Sequence, residues 1–499
     1  MKHFRHSAIA VVTATLLAAC GGSDSSNQVT HSGRNSAQPA ISAAYSGSWV
    51  APGYGTAISI GANTVAVYQF TSDYCFLQDD FDGVTTALLE RSVRLTDNQD
   101  ELEWYAGSNN GSFGAPGTLF KKQTSLPASC EDNMVMPDSD ATNAELYAMF
   151  SQIMAEYYVD FGINNVDWPA VTYEQSLNVT SQDDSLYEAI YQSFVPLADG
   201  HNSWSSPTGV EINVLSKPTH IMVLMEEFAD ANGLDYPLNE AQITQQIITE
   251  INQYIEEQLS LENEILASYA TSDIGTAADG QVFWAAIDDL GYLRVDSMTG
   301  YTLLAEDADD LDHVNSSLQH INGILDDALE ALGDTRGLII DIRKNGGGSD
   351  FISLAIASHF TDSTFTGYSK YARDGEGFTE SRVVEVTPAE GQRFTGRPVV
   401  LLTSSNTASA AESFTMMMSQ LDNVTLVGET TQGIFSDRLQ WLLPEGHVLS
   451  MSNEIYLTPD GEWLEGEGIT PDIQVPFFSV QDRLTGTDSG LEAALAAID

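Results

Sequence analysis

Three short, nearly continuous apolar segments restrict the fold of this chain more strongly than any other feature of its sequence. They are Gly337–Ile342, Pro398–Leu402 and Val424–Val427. A strand that is apolar along its whole length belongs in a sheet that is covered on both faces. Segments with a helical spacing of apolar residues alternate with these strands, which implies crossover connections. We therefore predict an α/β core over residues 280–480, followed by a C-terminal segment, 481–499.

The N-terminus has the features of an export signal. Two basic residues precede an apolar run, Ala8–Ala19, which is too short to span a bilayer and is followed by Cys20. This arrangement resembles a bacterial lipobox, in which the cysteine is lipidated and becomes the first mature residue. The resemblance implies a signal peptide, 1–20, a polar tether, 21–44, and a membrane anchor through the lipid on Cys20. We expect the anchor to lie in the outer membrane, facing the periplasm or the cell surface. The alternative is an ordinary secretory signal with an incidental cysteine.

Residues 45–135 are predicted to form a small β domain. Short β-type runs such as Thr64–Phe70 alternate there with turns rich in Gly and Asn. The region holds the two cysteines that remain after the leader, Cys75 and Cys130. In an exported protein a disulfide between them is the default expectation. A metal site or a thiol nucleophile is the alternative, and the absence of Cys-x-x-Cys spacing disfavours both.

Residues 136–279 have the periodicity of helices. Apolar residues in Thr142–Phe161 recur every three or four positions, and Asn239–Leu266 carries a similar stripe over a longer distance. Ser185-x-x-Glu188 has the form of a capping box and predicts the start of another helix. We expect the long stripe to pack in the interior rather than to bind a partner.

The charge of the chain excludes one class of partner. The sequence has 71 acidic and 19 basic residues, a formal net charge of −52, whereas nucleic-acid binding needs clustered Lys and Arg. Hydrophobic residues make up 42% of the chain, which is too many for a disordered acidic protein. Two acidic stretches, Asp79–Gly83 and Asp230–Asn232, fit the pattern of a calcium loop only in part. We therefore predict no metal and no cofactor.

Two of the apolar strands are followed by residues that could carry chemistry. After the first strand come Gly346, Gly347 and Gly348, which allow backbone N–H groups to approach a ligand as closely as an oxyanion hole requires. After the second comes Ser409, at the junction of a strand and a helix, where unpaired N–H groups favour negative charge. Each feature has a simpler explanation, namely a flexible turn for the glycines and an N-cap for the serine.

Four motifs that are weak singly become specific through their order along the chain. They are Asp341-Ile342-Arg343-x-Asn345-x-Gly347-Gly348, Ser409-Ala410-Ala411-Glu412, Gly428-Glu429-Thr430-Thr431-x-Gly433 and Glu465-Gly466-Glu467-Gly468-Ile469-x-Pro471-Asp472. In this order they resemble the tail-specific (C-terminal processing) serine peptidases and the related tricorn core peptidases. Asn165–Trp168 and Leu197–His201 extend the resemblance upstream, so that it covers residues 142–475 except for a stretch near 205–275.

The resemblance implies a Clp/crotonase-like core with Ser409 as the nucleophile, and the question that remains is which base activates it. In the tail-specific branch a lysine follows the last glycine of the third motif, but here that position is Ile434. The lysines of the mature chain are few and lie elsewhere: Lys121, Lys122, Lys217, Lys344 and Lys370. A Ser–Lys dyad at the usual place is therefore excluded.

In the tricorn-like branch the base is an upstream histidine, and a glutamate nearer the C-terminus completes the relay. His201 and Glu465 match these two positions. The assignment is chemically reasonable because imidazole has a pKa near neutrality and a carboxylate can fix its tautomer. The alternatives are a structural role for His201, and Glu462 or Glu467 in place of Glu465.

The reaction implied by the resemblance is acyl transfer from a peptide or protein substrate to Ser409. N–H groups of Gly347 or Gly348 and of Ala410 would hold the oxyanion. Residues 201–280 contain no carboxylate-binding loop of the PDZ type, which puts recognition of protein C-termini in doubt. Two other functions stay open: a non-catalytic lipoprotein that binds a ligand or peptide on the same fold, and an esterase or amidase that uses the same residues.

Overall fold

The computed structural model describes residues 40–104, 117–239, 241–305, 308, 310–375 and 377–498. The predicted signal peptide, the lipidation site Cys20 and the tether up to residue 39 lie outside the described residues. Within those ranges, no helix has both the length and the apolar character that are needed to cross a membrane.

The N-terminal region folds around one eight-stranded sheet. Its strands are β1 (Gly47–Ala51), β2 (Thr56–Ile60), β3 (Thr64–Phe70), β4 (Cys75–Asp82), β5 (Val93–Leu95), β6 (Glu101–Trp104), β7 (Thr118–Gln123) and β8 (Met134–Val135). They lie in the order β5-β6-β7-β1-β2-β3-β4-β8, and two short helices, α1 (Thr86–Leu89) and α2 (Ala128–Asp132), flank them. A disulfide joins Cys75 in β4 to Cys130 in α2.

The middle region is mainly helical. It consists of α3 (Asn143–Tyr157), α4 (Trp168–Ser176), α5 (Asp183–Phe194), β9 (Ser203–Ser205), β10 (Glu211–Asn213), α6 (His220–Asn232) and α7 (Gln245–Tyr269). The predicted capping box at Ser185 is wrong, because α5 already begins at Asp183 and its N-cap residue, Gln182, makes no side-chain cap. Two aspartates in the first turn favour the earlier start. A capping box does open α3, where Thr142 and Glu145 bond reciprocally.

The C-terminal region is the α/β core. Its strands are β11 (Gly275–Ala277), β12 (Val282–Ile287), β13 (Leu290–Val295), β14 (Leu338–Asp341), β15 (Phe365–Asp374), β16 (Gly377–Phe378), β17 (Arg382–Val386), β18 (Val399–Thr403), β19 (Val424–Gly428), β20 (Arg438–Leu442), β21 (Val448–Ser452), β22 (Glu454–Leu457) and β23 (Ile473–Gln474). Its helices are α8 (Asp310–Ala331), α9 (Asp350–Ser358), α10 (Ala410–Met418), α11 (Val480–Thr485) and α12 (Ser489–Ile498).

The central sheet of the core has the order β11-β12-β13-β14-β18-β19-β23. The pairs from β13 to β23 are parallel, and β11 and β12 add an antiparallel edge. The three apolar segments of the sequence form β14, β18 and β19, so their predicted strands are confirmed. The carboxyl ends of neighbouring parallel strands meet at one edge of the sheet. The glycine loop after β14 and the serine after β18 therefore come together there.

A buried ion network fixes the start of the glycine loop. The Arg343 guanidinium is 1% exposed and lies 2.6 Å from the Asp341 carboxylate and 2.7 Å from that of Asp488. Because Asp488 precedes α12, this network ties the C-terminal helix to the loop. The two carboxylates compensate the buried charge, and the network braces the loop mechanically.

The N-terminal sheet packs directly against the core. The Tyr54 hydroxyl donates to Glu454 Oε1 at 2.7 Å, and Gln69 Nε2 donates to the Gln440 carbonyl at 2.7 Å. Asn453 Nδ2 donates to the Gly53 carbonyl at 3.2 Å. These bonds place the N-terminal sheet beside β20–β22, the strands that follow the candidate site in the chain.

Candidate active site

Ser409 occupies a sharp corner between β18 and α10. Its φ and ψ are 54° and −126°, a combination that residues with a side chain rarely adopt and that costs about 1–3 kcal/mol. The corner is held from both sides: the Ser409 N–H donates to the Ile434 carbonyl at 3.1 Å, and the Ser409 carbonyl accepts from the N–H groups of Glu412 and Ser413. The half-buried side chain therefore stands at the positive end of α10.

The glycine loop lies against this corner. A Cβ placed on Gly347 would be 2.5 Å from the Ala408 carbonyl oxygen and 2.8 Å from Ser409 Cβ. Gly347 also has a φ of +97°, in the region that favours glycine. The sequence needs glycine at this position because no side chain fits between the loop and the nucleophile.

The two N–H groups that remain available for an oxyanion are those of Gly348 and Ala410. The Gly347 N–H is already engaged, because it donates to Asn345 Oδ1 at 2.8 Å. Within the described ranges, neither the Gly348 N–H nor the Ala410 N–H donates to an acceptor. Gly347 and Gly348 were both candidates for the oxyanion hole. Because the Gly347 N–H is engaged, the geometry favours the Gly348 N–H as the second donor beside Ala410.

His201 is buried between α5 and β9 and is 3% exposed. Burial, followed by the positive charge of Arg438, lowers the pKa of its imidazole to about 3, and the backbone of Ser436 beside the ring acts in the opposite direction. Neither ring nitrogen has a hydrogen-bond partner among the described residues, so the ring makes no hydrogen bond to Ser409. The imidazole is neutral at physiological pH, which is the protonation state that a general base requires.

Glu465 is buried beside the same turn. Its Oε2 accepts the N–H groups of Phe435 and Ser436, each at 3.1 Å, and its Oε1 has no partner in the described part of the chain. Burial and the negative charges of Asp199 and Glu412 raise the pKa of this carboxyl well above its usual range. Its Oε1 can form one further hydrogen bond, as a donor when the carboxyl is protonated and as an acceptor when it is ionised.

One turn, Gly433–Ser436, contacts Ser409 and Glu465 and lies next to Gly200, the neighbour of His201. Ile434 accepts the N–H of Ser409, and its side chain is 3.4 Å from the position that a Cβ on Gly200, next to His201, would take. The next two N–H groups of the turn bind Glu465. The structure thus brings the surroundings of Ser409, His201 and Glu465 together, without a hydrogen bond between Ser409 and His201.

Glu412 holds this turn, and sequence reasoning missed its role. Its carboxylate is 0% exposed and accepts from Thr431 Oγ1 at 2.5 Å, from the Gly433 N–H at 2.7 Å and from the Ile434 N–H at 2.8 Å. Burial raises the pKa of Glu412 to about 7, against the opposing effect of these donors and of Lys217. The only signal in the sequence was that Glu412 belongs to the Ser409 motif.

The other candidate residues lie elsewhere. Glu462 and Glu467, the alternatives to Glu465, are exposed. No lysine in the described ranges bonds to Ser409. Two partly buried lysines form ion pairs with other groups: Lys344 with Glu262 at 3.3 Å and Lys370 with Glu454 at 2.8 Å. The position that a lysine takes in the tail-specific branch is filled by buried Ile434.

Comparison with known proteins identifies the part of the chain that holds this site. Residues 289–475 match the model of Peptidase family S41. The carboxy-terminal processing protease CtpA of Bacillus subtilis is 28% identical over 178 residues, which is 34% of this chain and 36% of that protein. A carboxyl-terminal-processing protease of Synechocystis is 30% identical over 162 residues, 32% of this chain and 36% of that protein. The chain thus matches about a third of the length of these curated relatives.

A solved structure extends the similarity in fold. A protein from Parabacteroides merdae, provisionally described as a peptidase, superposes with a TM-score of 0.53 at 23% identity and covers 72% of this chain and 97% of that one. The predicted resemblance to this peptidase family and the predicted fold class, a Clp-like α/β core with an N-terminal β region, are confirmed.

The backbone strain at Ser409 predicts an unusual order of stability. We expect Ser409→Gly to be more stable than Ser409→Ala by about 1 kcal/mol, because glycine relieves the positive φ at the corner. Ser419 ends the same helix with an ordinary φ of −65°, so there the alanine variant should be the more stable one. Urea unfolding of the four variants measures both differences. If the glycine variant were the less stable one at Ser409 as well as at Ser419, Ser409 would not be strained.

The lowered pKa of His201 predicts a pH-dependent cost of folding. Below pH 6.5 His201 is protonated in the unfolded chain, whereas in the folded chain it stays neutral down to about pH 3. His201 therefore lowers stability as the pH falls, by up to about 1.4 kcal/mol per pH unit. The free energy of unfolding of the wild type, minus that of His201→Gln, should fall from pH 7 to pH 4. A constant difference over that range would show that His201 titrates alike in both states.

Proposed function

We propose that this chain, whose residues 289–475 match Peptidase family S41, is a serine-type peptidase that cleaves peptide bonds through an acyl-enzyme on Ser409. The observation that carries the proposal is the corner itself. A strained serine stands at the start of a helix, beside the N–H groups of Gly348 and Ala410, which have no acceptor in the described part of the chain. Acyl transfer needs this combination of a partly accessible hydroxyl and paired donors for the oxyanion.

In the proposed mechanism His201 accepts the proton of Ser409 as the hydroxyl attacks the peptide carbonyl. The new C–O bond places negative charge on the carbonyl oxygen, which the N–H groups of Gly348 and Ala410 stabilise. The imidazolium then gives its proton to the leaving amine, and water releases the acyl group by the same steps in reverse. Glu465 supports the imidazolium, since its Oε1 is a buried acceptor without a partner in the described residues.

The proposed substrates are peptides or proteins, as for the related proteases. The names of the relatives refer to carboxy-terminal processing, but we do not extend that specificity to this chain. A helical hairpin, α6–α7, occupies the region between His201 and the core. The sequence between His201 and Gly280 contains no carboxylate-binding loop of the PDZ type.

One observation favours a second candidate, a non-catalytic protein that binds a ligand or peptide. His201 makes no hydrogen bond to Ser409, and a binding protein would not need one. The strain stored at Ser409 argues against this reading, since a binding surface gains nothing from a serine in that conformation. An esterase or amidase would use the same residues as the peptidase, and only its substrates would differ.

A fluorophosphonate probe and a panel of peptide and ester substrates distinguish these functions. We expect the probe to label the wild type at Ser409, and peptide turnover to disappear in Ser409→Ala with no change in the circular dichroism spectrum. His201→Ala should reduce labelling by about a hundredfold or more, because it removes the base. Ser419→Ala, at the end of the helix that follows Ser409, is the matched serine control and should keep its labelling. An unlabelled wild type would favour the binding protein, and turnover of esters alone would favour the esterase.

We also propose that the chain is anchored to a bacterial membrane through a lipid on Cys20. The support is the leader and the lipobox-like residues before this cysteine. After growth with an alkyne-tagged palmitate, the wild type should carry the tag and sediment with the membrane fraction. Cys20→Ser should lose both properties, whereas Cys75→Ser, which breaks the disulfide, should keep the tag. A tagged Cys20→Ser variant would overturn the anchor.

A further inference from the structure

A six-residue segment crosses the catalytic loops and belongs to none of the sequence motifs described above. We call this segment, Leu215–His220, the strap. It leaves β10, runs beside Gly200, where a Cβ would be 2.4 Å from Leu215 Cδ2, and leads directly into α6. The strap lies in the stretch near 205–275 that the resemblance did not cover.

Lys217 is the central residue of the strap. Its ammonium donates to three backbone carbonyls: Thr431 at 2.7 Å, Gln432 at 2.9 Å and Glu467 at 2.8 Å. The first two carbonyls belong to the segment before the Gly433–Ser436 turn, and the third belongs to the loop that carries Glu465. One side chain therefore joins the turn that holds Ser409 to the loop that supplies the buried carboxylate.

The same contacts exclude Lys217 as the base that the family's lysine would provide. An ammonium has three N–H donors and no acceptor, and here all three donors are used by carbonyl oxygens. Burial lowers the pKa of Lys217, and the charges of Glu412 and Glu467 oppose this. A neutral Lys217 would nevertheless direct its lone pair at carbonyl oxygens and not at Ser409. Lys217 thus acts as a fixed cation at the edge of the site.

The strap is held in place along its length by further bonds. The Lys217 N–H donates to Gln432 Oε1 at 3.1 Å, and Gln432 Nε2 returns a bond to the Lys217 carbonyl at 3.3 Å. Ser405 Oγ donates to the Pro218 carbonyl at 2.9 Å, and the His220 N–H donates to Asn406 Oδ1 at 2.7 Å. Ser405 and Asn406 precede Ser409 by only three or four residues, so the strap contacts the nucleophile loop as well.

The far end of the strap is anchored through a buried carboxylate. His220 Nε2 lies 2.6 Å from Glu262 Oε1 in α7, and Lys344 of the loop before the glycines lies 3.3 Å from Glu262 Oε2. Glu262 is 0% exposed. Glu262 thereby connects the end of the strap and the α6–α7 hairpin to the loop that leads to Gly348.

We infer that the strap is a clamp for the catalytic loops and that Lys217 is a positioning residue, which sets the distance between the Ser409 corner and the Glu465 loop. The inference rests on the proposed function, because it concerns how well the base and the nucleophile are aligned. Small displacements of catalytic groups reduce reaction rates strongly. A residue with three bonds to two loops is therefore expected to affect the rate of acylation more than the binding of substrate.

The test compares Lys217→Met with Lys121→Met in the full chain. Lys121 is exposed on β7, so its variant is the matched control for loss of a lysine. Lys217→Met should be labelled by a fluorophosphonate about ten- to a hundredfold more slowly than the wild type, with kcat lowered and KM little changed. In Lys217→Ala, propylammonium should restore part of the rate and propanol should not, which a merely structural role would not produce.

Hydrogen exchange provides a readout that does not depend on catalysis. Without the ammonium, amides in residues 431–436 and 464–468 should exchange faster, whereas the N-terminal sheet should be unchanged. If the wild type is not labelled but Lys217→Met shows this exchange pattern, the proposed function fails and the clamp stands. If the wild type is labelled and Lys217→Met matches it in both labelling and exchange, the clamp is overturned and the proposed function stands.

Discussion

The carboxylate of Glu412 is the group on which the rest of the site depends. It extends from the first turn of the nucleophile helix and accepts three hydrogen bonds from the segment Thr431–Ile434. This segment in turn receives the N–H of Ser409 and continues into the N–H groups that bind Glu465. Because backbone N–H groups can only donate, a carboxyl group that accepts these bonds is what keeps the turn closed. The corner and the relay carboxylate are thus parts of one hydrogen-bonded unit.

The chain has few basic residues, and two of those near the site, Arg343 and Lys217, are held by several bonds each. The chain has 19 basic and 71 acidic residues, and the cations around the site are paired with buried groups rather than spread over the surface. Arg343 binds Asp341 and Asp488, and Lys217 binds three carbonyls. A buried cation is tolerated only when its donors are used. In this acidic protein Arg343 and Lys217 therefore join separate loops of the core. Their bonds oppose the repulsion among the carboxylates of the chain.

The sequence predicted those features that local pattern determines. The strands β14, β18 and β19 followed from continuous apolar runs, and so did the position of Ser409 between a strand and a helix. The role of Ser409 as a nucleophile came from the family resemblance alone. Contacts between distant segments could not be predicted in this way. The engagement of the Gly347 N–H by Asn345, the three bonds of Glu412 and the reach of Lys217 across two loops all depend on tertiary packing. The start of α5 was missed for the opposite reason, since the local pattern at Ser185 resembled a capping box although Asp183 and Asp184, directly before it, already begin the helix.

The imidazole of His201, which has no hydrogen-bond partner among the described residues, lowers the stability of the fold and is also the proposed general base. A buried polar group without a partner costs about 1–3 kcal/mol, and both the ring and Glu465 Oε1 lack partners among the described residues. Hydrogen bonds from the ring to Glu465 and to Ser409, if formed during the reaction, would remove both costs. Catalytic hydrogen bonds often tighten only when substrate is bound. The base would enter such a step neutral, because burial lowers its pKa to about 3. The missing bond between His201 and Ser409 is then a property of the resting site, and the turn that the strap restrains is the element that must keep its position while these bonds form.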